Sequence, residues 1–238
     1  MPFALRNSEC CPNLFLAMNN KSSKRIPLAF LFAIFFVSGT ATKTHAELLA
    51  YWDFNDAGNV VVDKIAGIKG AVKGSTGFVA GRSGASGDRA IDFGSSPANN
   101  WVRIHHENNS WLKPASDANK LSVSFWQKLH SRVSSSAFWF GAASAPAGQR
   151  NAQAHVPWGG GNIYWDTAGC CGGGDTRVTK PWGGNYGAWN HFVFVKDGNR
   201  KAIYINGELF HEGQNTKPLF GNWTVAAIGA NNSGGSNM

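Results

Sequence analysis

Apolar and polar residues alternate along most of this chain, and the alternation predicts strands rather than helices. The clearest case runs from Trp189 to His211. Trp189 to Val195 is aromatic and β-branched, a composition that fits a pleated, half-buried surface. Asp197-Gly198 then supplies the positive-φ positions of a tight turn, and Lys201 to Ile205 forms a second strand. Asn206-Gly207 makes the next turn before Glu208 to His211. Turns of this kind between alternating runs mark successive β-hairpins. They predict an antiparallel β architecture and argue against a nucleotide-binding α/β fold.

The same criterion predicts strands at Leu48–Phe54, Ile68–Val72, Arg89–Phe93, Trp101–His105, Leu121–His130 and Ala137–Ala142. Further strands follow at Gln153–Val156, Asn162–Asp166, Arg177–Lys180 and Thr224–Ile228. One short helical turn is expected at Asn108–Trp111 and no longer helix. The 29 glycines suit a chain with many tight turns. No repeat or linker interrupts residues 47–238, which read as one domain.

The N-terminal pattern differs. Lys21, Lys24 and Arg25 precede the apolar run Pro27–Val37, and Thr44-His45-Ala46 offers a small-residue cleavage site. This order of charge, apolar core and cleavage site is that of a secretory signal peptide. Residues 1–46 are therefore expected to be removed, with Met18 a second candidate start. The alternative is an uncleaved anchor, although the run is short of the roughly 20 residues a spanning helix needs. No Cys follows the apolar run, so a lipid anchor is not suggested.

Removing that segment changes the charge. Five of the 22 Lys and Arg and one of the 14 Asp and Glu precede Glu47, so the net charge falls from +8 to +4. The remaining charges are scattered along the chain without a basic run. Nucleic-acid binding needs a clustered basic face, and none is legible in the sequence. Two of the four cysteines, Cys10 and Cys11, lie in the leader; the others are the adjacent pair Cys170-Cys171. Export favours oxidation of that pair. Neighbouring α-carbons, however, are only about 3.8 Å apart, below the usual disulfide range of roughly 4.4–6.8 Å. A vicinal disulfide, two thiols and pairing with another chain all stay open.

The order of motifs resembles the laminin-G-like, concanavalin A-like lectin/glucanase jelly roll, an all-β antiparallel sandwich of two sheets. The resemblance is carried by Trp189, His191, Asp197, Gly198, Tyr204, Asn206 and Gly207. Ala50-Tyr51-Trp52-Asp53-Phe54 with Asp56, Gly58 and Asp63 adds to it. So do Arg89–Gly94, Trp101–Ile104 and Leu121–Trp126. It implies a structural Ca²⁺ held by acidic side chains, for which Asp56 and Asp63 are the matching positions; hard oxygen ligands suit that ion. One departure stands out. The family adds a final strand beside the first, whereas this chain ends in the small, polar residues Asn231–Met238. A truncated sequence with an unpaired edge is the expectation.

Candidate chemistry concentrates in residues 154–185, where Trp158, Trp165 and Trp182 stand among glycine turns. An aromatic face covers the apolar face of a pyranose, and nearby polar groups bind its hydroxyls. Asp166, Arg177 and Asn185 are candidates for the second task. Alternation sends Tyr164 and Trp165 to opposite faces, so one of them belongs to the core. A glycosidase of this fold carries a Glu-x-Asp-x-x-Glu strand motif, which is missing, and no positioned carboxylate pair is visible. His105-His106-Glu107 does not converge on a metal, because adjacent strand residues diverge. The expectation is a secreted, non-catalytic module that binds a glycan or polysaccharide. The alternative is a structural or adhesive protein-interaction module; glycoside hydrolysis ranks behind both. No nucleic-acid partner and no membrane insertion after cleavage are expected. Mass spectrometry of the exported protein should find Glu47 as the first residue; a mature N-terminus upstream of Lys21 would overturn the signal-peptide reading.

Overall fold

The computed structural model describes residues 3–6, 46–56, 58–95, 99–105, 107–142, 150–170 and 177–231. Of the chain's two compact units, the one made of residues 1–8 and 46–238 holds all of them. Sixteen strands follow in chain order: β1 (Phe3–Arg6), β2 (Leu48–Trp52), β3 (Val60–Val62), β4 (Lys69–Lys73), β5 (Gly77–Ala80), β6 (Arg89–Asp92), β7 (Trp101–His105), β8 (Lys120–Gln127), β9 (Ser136–Gly141), β10 (Arg150–Trp158), β11 (Asn162–Thr167), β12 (Arg177–Pro181), β13 (Asn190–Asp197), β14 (Arg200–Ile205), β15 (Glu208–Gln214) and β16 (Val225–Ile228). Ladder bonds are antiparallel throughout. One sheet runs β15-β14-β13-β8-β1-β2 and the other β12-β11-β10-β9-β16-β7-β4-β3, with β5-β6 as a separate pair. The architecture is an antiparallel β-sandwich, as expected.

The two hairpins form as their turn residues dictate. Asn206 and Gly207 hold φ of 54° and 90°, the left-handed pair that a two-residue turn of matching twist requires. Gly198, at φ 56°, turns β13 into β14. The helical expectation was too small. A 3₁₀ segment, Glu107–Leu112, leads into helix α1 (Lys113–Ala118), which starts with Pro114 in its first turn and ends at Asn119 with φ 52°. Ala115 of the helix and Leu112 just before it are buried in the core, a packing that the short polar run LKPASDA does not advertise by periodicity.

Facing residues of both sheets make the core. Phe125, Phe192 and Phe194 of the six-stranded sheet meet Phe138, Phe140 and Trp165 of the eight-stranded one, all six nearly inaccessible to water. Phe138 approaches Phe125 and Phe194 edge-on at 6.2 and 6.0 Å, and Trp165 lies 5.6 Å from Phe194. Aromatic pairs favour such tilted geometries.

The expected gap beside the first strand is filled. β1 lies between β2 and β8, with Phe3 opposite both Trp52 and Phe125 and Ala4 opposite both Tyr51 and Ser124. An upstream segment thus occupies the place assigned to a missing C-terminal strand. The cleavage expected after Ala46 would take β1 with it and leave the backbone groups of β2 and β8 unpaired along that seam, an invitation to aggregation. A chain lacking residues 1–8 should melt at lower temperature and self-associate in size-exclusion chromatography. An unchanged, monodisperse melt would show that the slot needs no strand.

Candidate functional site

Because Phe138, Ala154 and Trp165 point into the core, their neighbours point outward from the eight-stranded sheet. The ladder register lines these neighbours up in one row across the strands: Arg177, Asp166, Gln153, Trp139, Ala227, Arg103 and Ala71. A shorter row beside it holds Thr179, Tyr164, His155 and Ser136. The centre of this face is polar and yet buried. Asp166 is fully inaccessible, Gln153 and His155 nearly so.

Buried charge must be compensated. The Arg177 Nε and Nη2 groups donate to Asp166 Oδ1 and Oδ2 at 2.6 and 2.7 Å, the bidentate geometry of a strong pair. Arg150 Nη1 adds a third bond to Oδ2 at 3.2 Å. Its hydrogen-bonding partner raises the Arg177 pKa, whereas burial lowers that of Arg150. Arg150 Nη1 also lies 3.4 Å from His155 Nε2, and His155 Nδ1 lies 3.2 Å from both the Ser135 carbonyl and Ser136 Oγ. A donor facing Nε2 and a carbonyl facing Nδ1 select the neutral tautomer protonated at Nδ1. Burial brings the His155 pKa down to about 4, with Asp166 opposing and Arg150 reinforcing the shift.

Aromatic rings border the cluster. The half-buried Trp158 ring lies 4.5 Å from His155, and Tyr164 meets the same imidazole edge-on at 5.9 Å. The Arg177 guanidinium sits 4.4 Å over Tyr164, and that of Arg150 5.6 Å from the Trp139 ring. The turn after Trp158 is fixed from outside the sheet. Arg132 Nη2 donates to the Gly160 carbonyl at 2.7 Å, and its guanidinium occupies the space that a side chain at Gly161 would need. Three buried polar atoms of this face, Trp139 Nε1, Gln153 Oε1 and Arg150 Nε, have no hydrogen-bond partner among the described residues. Unsatisfied buried groups are uncommon and call for a reason.

The structure therefore brings together Trp158, Asp166 and Arg177 of the expected site residues. Trp165 is a correction: it is completely buried, packs between Phe138 and Phe194, and its indole N–H donates to the Val195 carbonyl at 2.9 Å. It is the core member of the Tyr164/Trp165 pair and cannot be a platform. Trp182 and Asn185 lie apart from the cluster. Trp182 packs edge-on against Tyr186 and Phe192 at 4.6 and 5.5 Å. Asn185 shapes its own turn, its Oδ1 accepting from the Gly187 amide at 2.9 Å. It lines a polar depression of about 320 Å³ with His130, Ser131, Arg132 and Tyr186.

The acidic positions implied for calcium are otherwise engaged. Buried Asp63 accepts backbone N–H bonds from Tyr51, Ile65 and Ala66, while Asp56 pairs with Lys64 at 2.7 Å. The Lys64 ammonium also lies 3.7 Å from Asp53, so a cation already serves these carboxylates. Among the described residues no cluster of His, Cys, Asp or Glu is arranged to hold a metal. As placed, the residues do not fit a calcium cage. Cys170 is buried just after β11, and Cys171 lies outside the described residues, as do His106 and residues 7–45. Among the described residues no helix is long and apolar enough to cross a membrane.

Arg150, Gln153 and Trp139 escaped the sequence reading. Only the register of β9, β10 and β11 places them beside Asp166.

Residues 94–238, more than half the chain, match the model of the concanavalin A-like lectin/glucanases superfamily. The chain belongs to that superfamily. Among curated proteins none matches the sequence. Solved structures are similar at low identity. Domain 4 of AbnA, a GH43 extracellular arabinanase from Geobacillus stearothermophilus, solved with arabinotriose, is 19% identical with a TM-score of 0.47, over 71% of this chain and 78% of that one. HCR/D-Sa-GBL1/C is 12% identical with a TM-score of 0.50, over 74% and 42%. The binding domain of Paraclostridial Mosquitocidal Protein 1 is 12% identical with a TM-score of 0.47, over 71% and 41%. The chain spans under half the length of the last two. These likenesses concern the fold alone.

The His155 environment sets a pH dependence. The imidazole titrates near 6.5 when unfolded and at about 4 when folded. Between those values only the unfolded chain takes up the proton. Its stabilising effect is therefore complete above pH 6.5 and lost as the pH falls towards 4, by about 3 kcal/mol in all. Thermal melts should show that loss, and His155→Gln should flatten the profile between pH 6.5 and 4. A His155→Gln profile parallel to that of the wild type would contradict this assignment.

Proposed function

We propose that this superfamily member is a non-catalytic glycan-binding module, exported by its N-terminal segment, whose ligand contacts the outer face of the eight-stranded sheet. The observation that carries the reading is a pair of partly accessible guanidinium groups, Arg150 and Arg177, held in fixed orientation by buried Asp166 beside a half-buried Trp158. The hydroxyl oxygens of a polyhydroxyl ligand accept from such preset donors. Trp158 at the rim supplies the apolar face a pyranose needs.

Binding without cleavage is the better account of the carboxylates. A retaining glycosidase uses two carboxyl groups roughly 5 Å apart, one of them free to gain and lose a proton. Asp166 is the only acidic side chain on the described strands of this face, and it is fully buried and held by two guanidinium groups. So placed, it orients Arg150 and Arg177 and is poorly suited to proton transfer.

The two tryptophans that looked equivalent in sequence should now behave differently. Trp158→Ala should weaken binding to glycans selected on an array by about tenfold, or ~1.4 kcal/mol, with little change in melting temperature. Trp182→Ala, which removes a ring packed on Tyr186 and Phe192, should lower stability by about 2–3 kcal/mol and leave affinity nearly unchanged. Titration calorimetry and thermal melts separate the effects. A wild type that binds no glycan, or a Trp158→Ala chain that binds as well as wild type, would overturn the proposal.

A further inference from the structure

The basic residues that are scattered in sequence are gathered by the sheet order. On β4, Gly70 and Val72 face the core, so Lys69, Ala71 and Lys73 face outward. On β7, Val102 and Ile104 are buried inward, and Trp101 and Arg103 share the outer face with Trp139. In register, Arg103 stands opposite Ala71 and Lys73 opposite Trp101. The outer face thus carries Lys69, Lys73 and Arg103 at one end and Arg150 and Arg177 at the other. Lys69 and Arg103 are exposed and Lys73 is partly so. Asp166 is the only described carboxylate on these strands of the face, and Arg177 matches its charge. His155 is neutral above its depressed pKa. Arg103, Lys69 and Lys73 have no ion-pair partner among the described residues, and Arg150 shares the one charge of Asp166 with Arg177, so the described face carries a net positive charge.

We infer that the glycan recognised by this face is acidic: a polysaccharide carrying carboxylate or sulfate groups along its length. The inference rests on the glycan-binding reading above and names its substrate class. The partly accessible guanidinium groups of Arg150 and Arg177 are donors and match anionic oxygens. The two basic ends of the face lie three strand spacings apart from β10 to β7, roughly 14 Å. One small anion cannot reach both; a chain with repeated charges can. Duplex nucleic acid presents a phosphate about every 1.7 Å and is met by dense basic clusters, whereas these cations are few and spread, with Trp158 near one end.

The test uses the full chain with polygalacturonate and dextran sulfate as acidic probes, dextran and arabinan as neutral ones, and duplex DNA. At low salt the acidic polysaccharides should bind at least about tenfold more tightly than the neutral ones, and the advantage should shrink between 20 and 300 mM NaCl, roughly the range over which exposed charges become screened. A preference between the two acidic probes assigns carboxylate or sulfate. The triple variant Lys69→Gln, Lys73→Gln, Arg103→Gln should lose about tenfold for the acidic probes, the scale of a few rim charges, with melting temperature and neutral-glycan affinity unchanged. Equal binding of neutral and acidic glycans, unaffected by the triple variant, would overturn the acidic assignment and leave the glycan reading standing. Failure to bind any polysaccharide would overturn both. DNA binding as tight as that of the acidic polysaccharides, with the same loss in the variant, would overturn the sugar assignment in favour of a general polyanion surface.

Discussion

The aromatic seam between the two sheets is the constraint on which the rest of the molecule depends. Phe125, Phe192 and Phe194 face Phe138, Phe140 and Trp165, and Trp111 extends the seam by meeting Trp52 and Phe140 edge-on at 5.7 and 6.0 Å. Such rings carry a large apolar area, so their burial dominates the driving force for the sandwich. The seam also fixes parity. Once Phe138 and Trp165 are inside, Trp139 and Asp166 must be outside, because a strand turns successive side chains to opposite faces. A slip of one residue in β11 would bury Asp166 in the aromatic core and expose Trp165, an exchange no local interaction could offset. Two lysines fasten the same region. Buried Lys201 donates from Nζ to the Trp165 carbonyl at 2.6 Å, and buried Lys196 donates to the carbonyls of Gly198 and Asn215. Their charges are tolerated because backbone oxygens receive them.

The outer face follows a different logic. Its centre is nearly as inaccessible as the core but is built from Asp166, Arg150, Arg177, His155 and Gln153. Hydrophobic residues of similar volume would stabilise a sheet at least as well as a buried ion pair. What the polar set provides is direction. The carboxylate holds two guanidinium planes, the imidazole is fixed in one tautomer, and certain donors and acceptors remain unused. Groups held this rigidly would leave little ordering to be done if the ligand proposed above arrives. Superfamily membership is compatible with recognition or cleavage of sugars, and fold alone does not choose between them. The proposed function chooses recognition, on the locked state of Asp166.

The place of β1 shows how backbone pairing governs topology. A sheet interior cannot leave a row of N–H and C=O groups unmatched, and β2 and β8 are bridged by Phe3–Arg6, from well upstream of the expected cleavage site.

Much of the fold was legible beforehand. Alternation located most strands within a residue or two, and Asn206-Gly207 announced its turn because positive φ at successive positions restricts which residues fit. Short strands without a full alternating run, such as Val60–Val62 and Gly77–Ala80, were not legible, nor was α1 with its single buried alanine. The candidate site was legible only in part. Local alternation indicated that Tyr164 and Trp165 diverge, but not which of them is core. Nothing in one strand's sequence shows that Arg150 and Arg177 converge on Asp166, or that Lys69, Lys73 and Arg103 share its face. By itself the sequence determined where strands and turns occur, because those depend on neighbours along the chain. Strand order and register decided which charges meet, because electrostatic contacts form across the sheet between residues far apart in sequence.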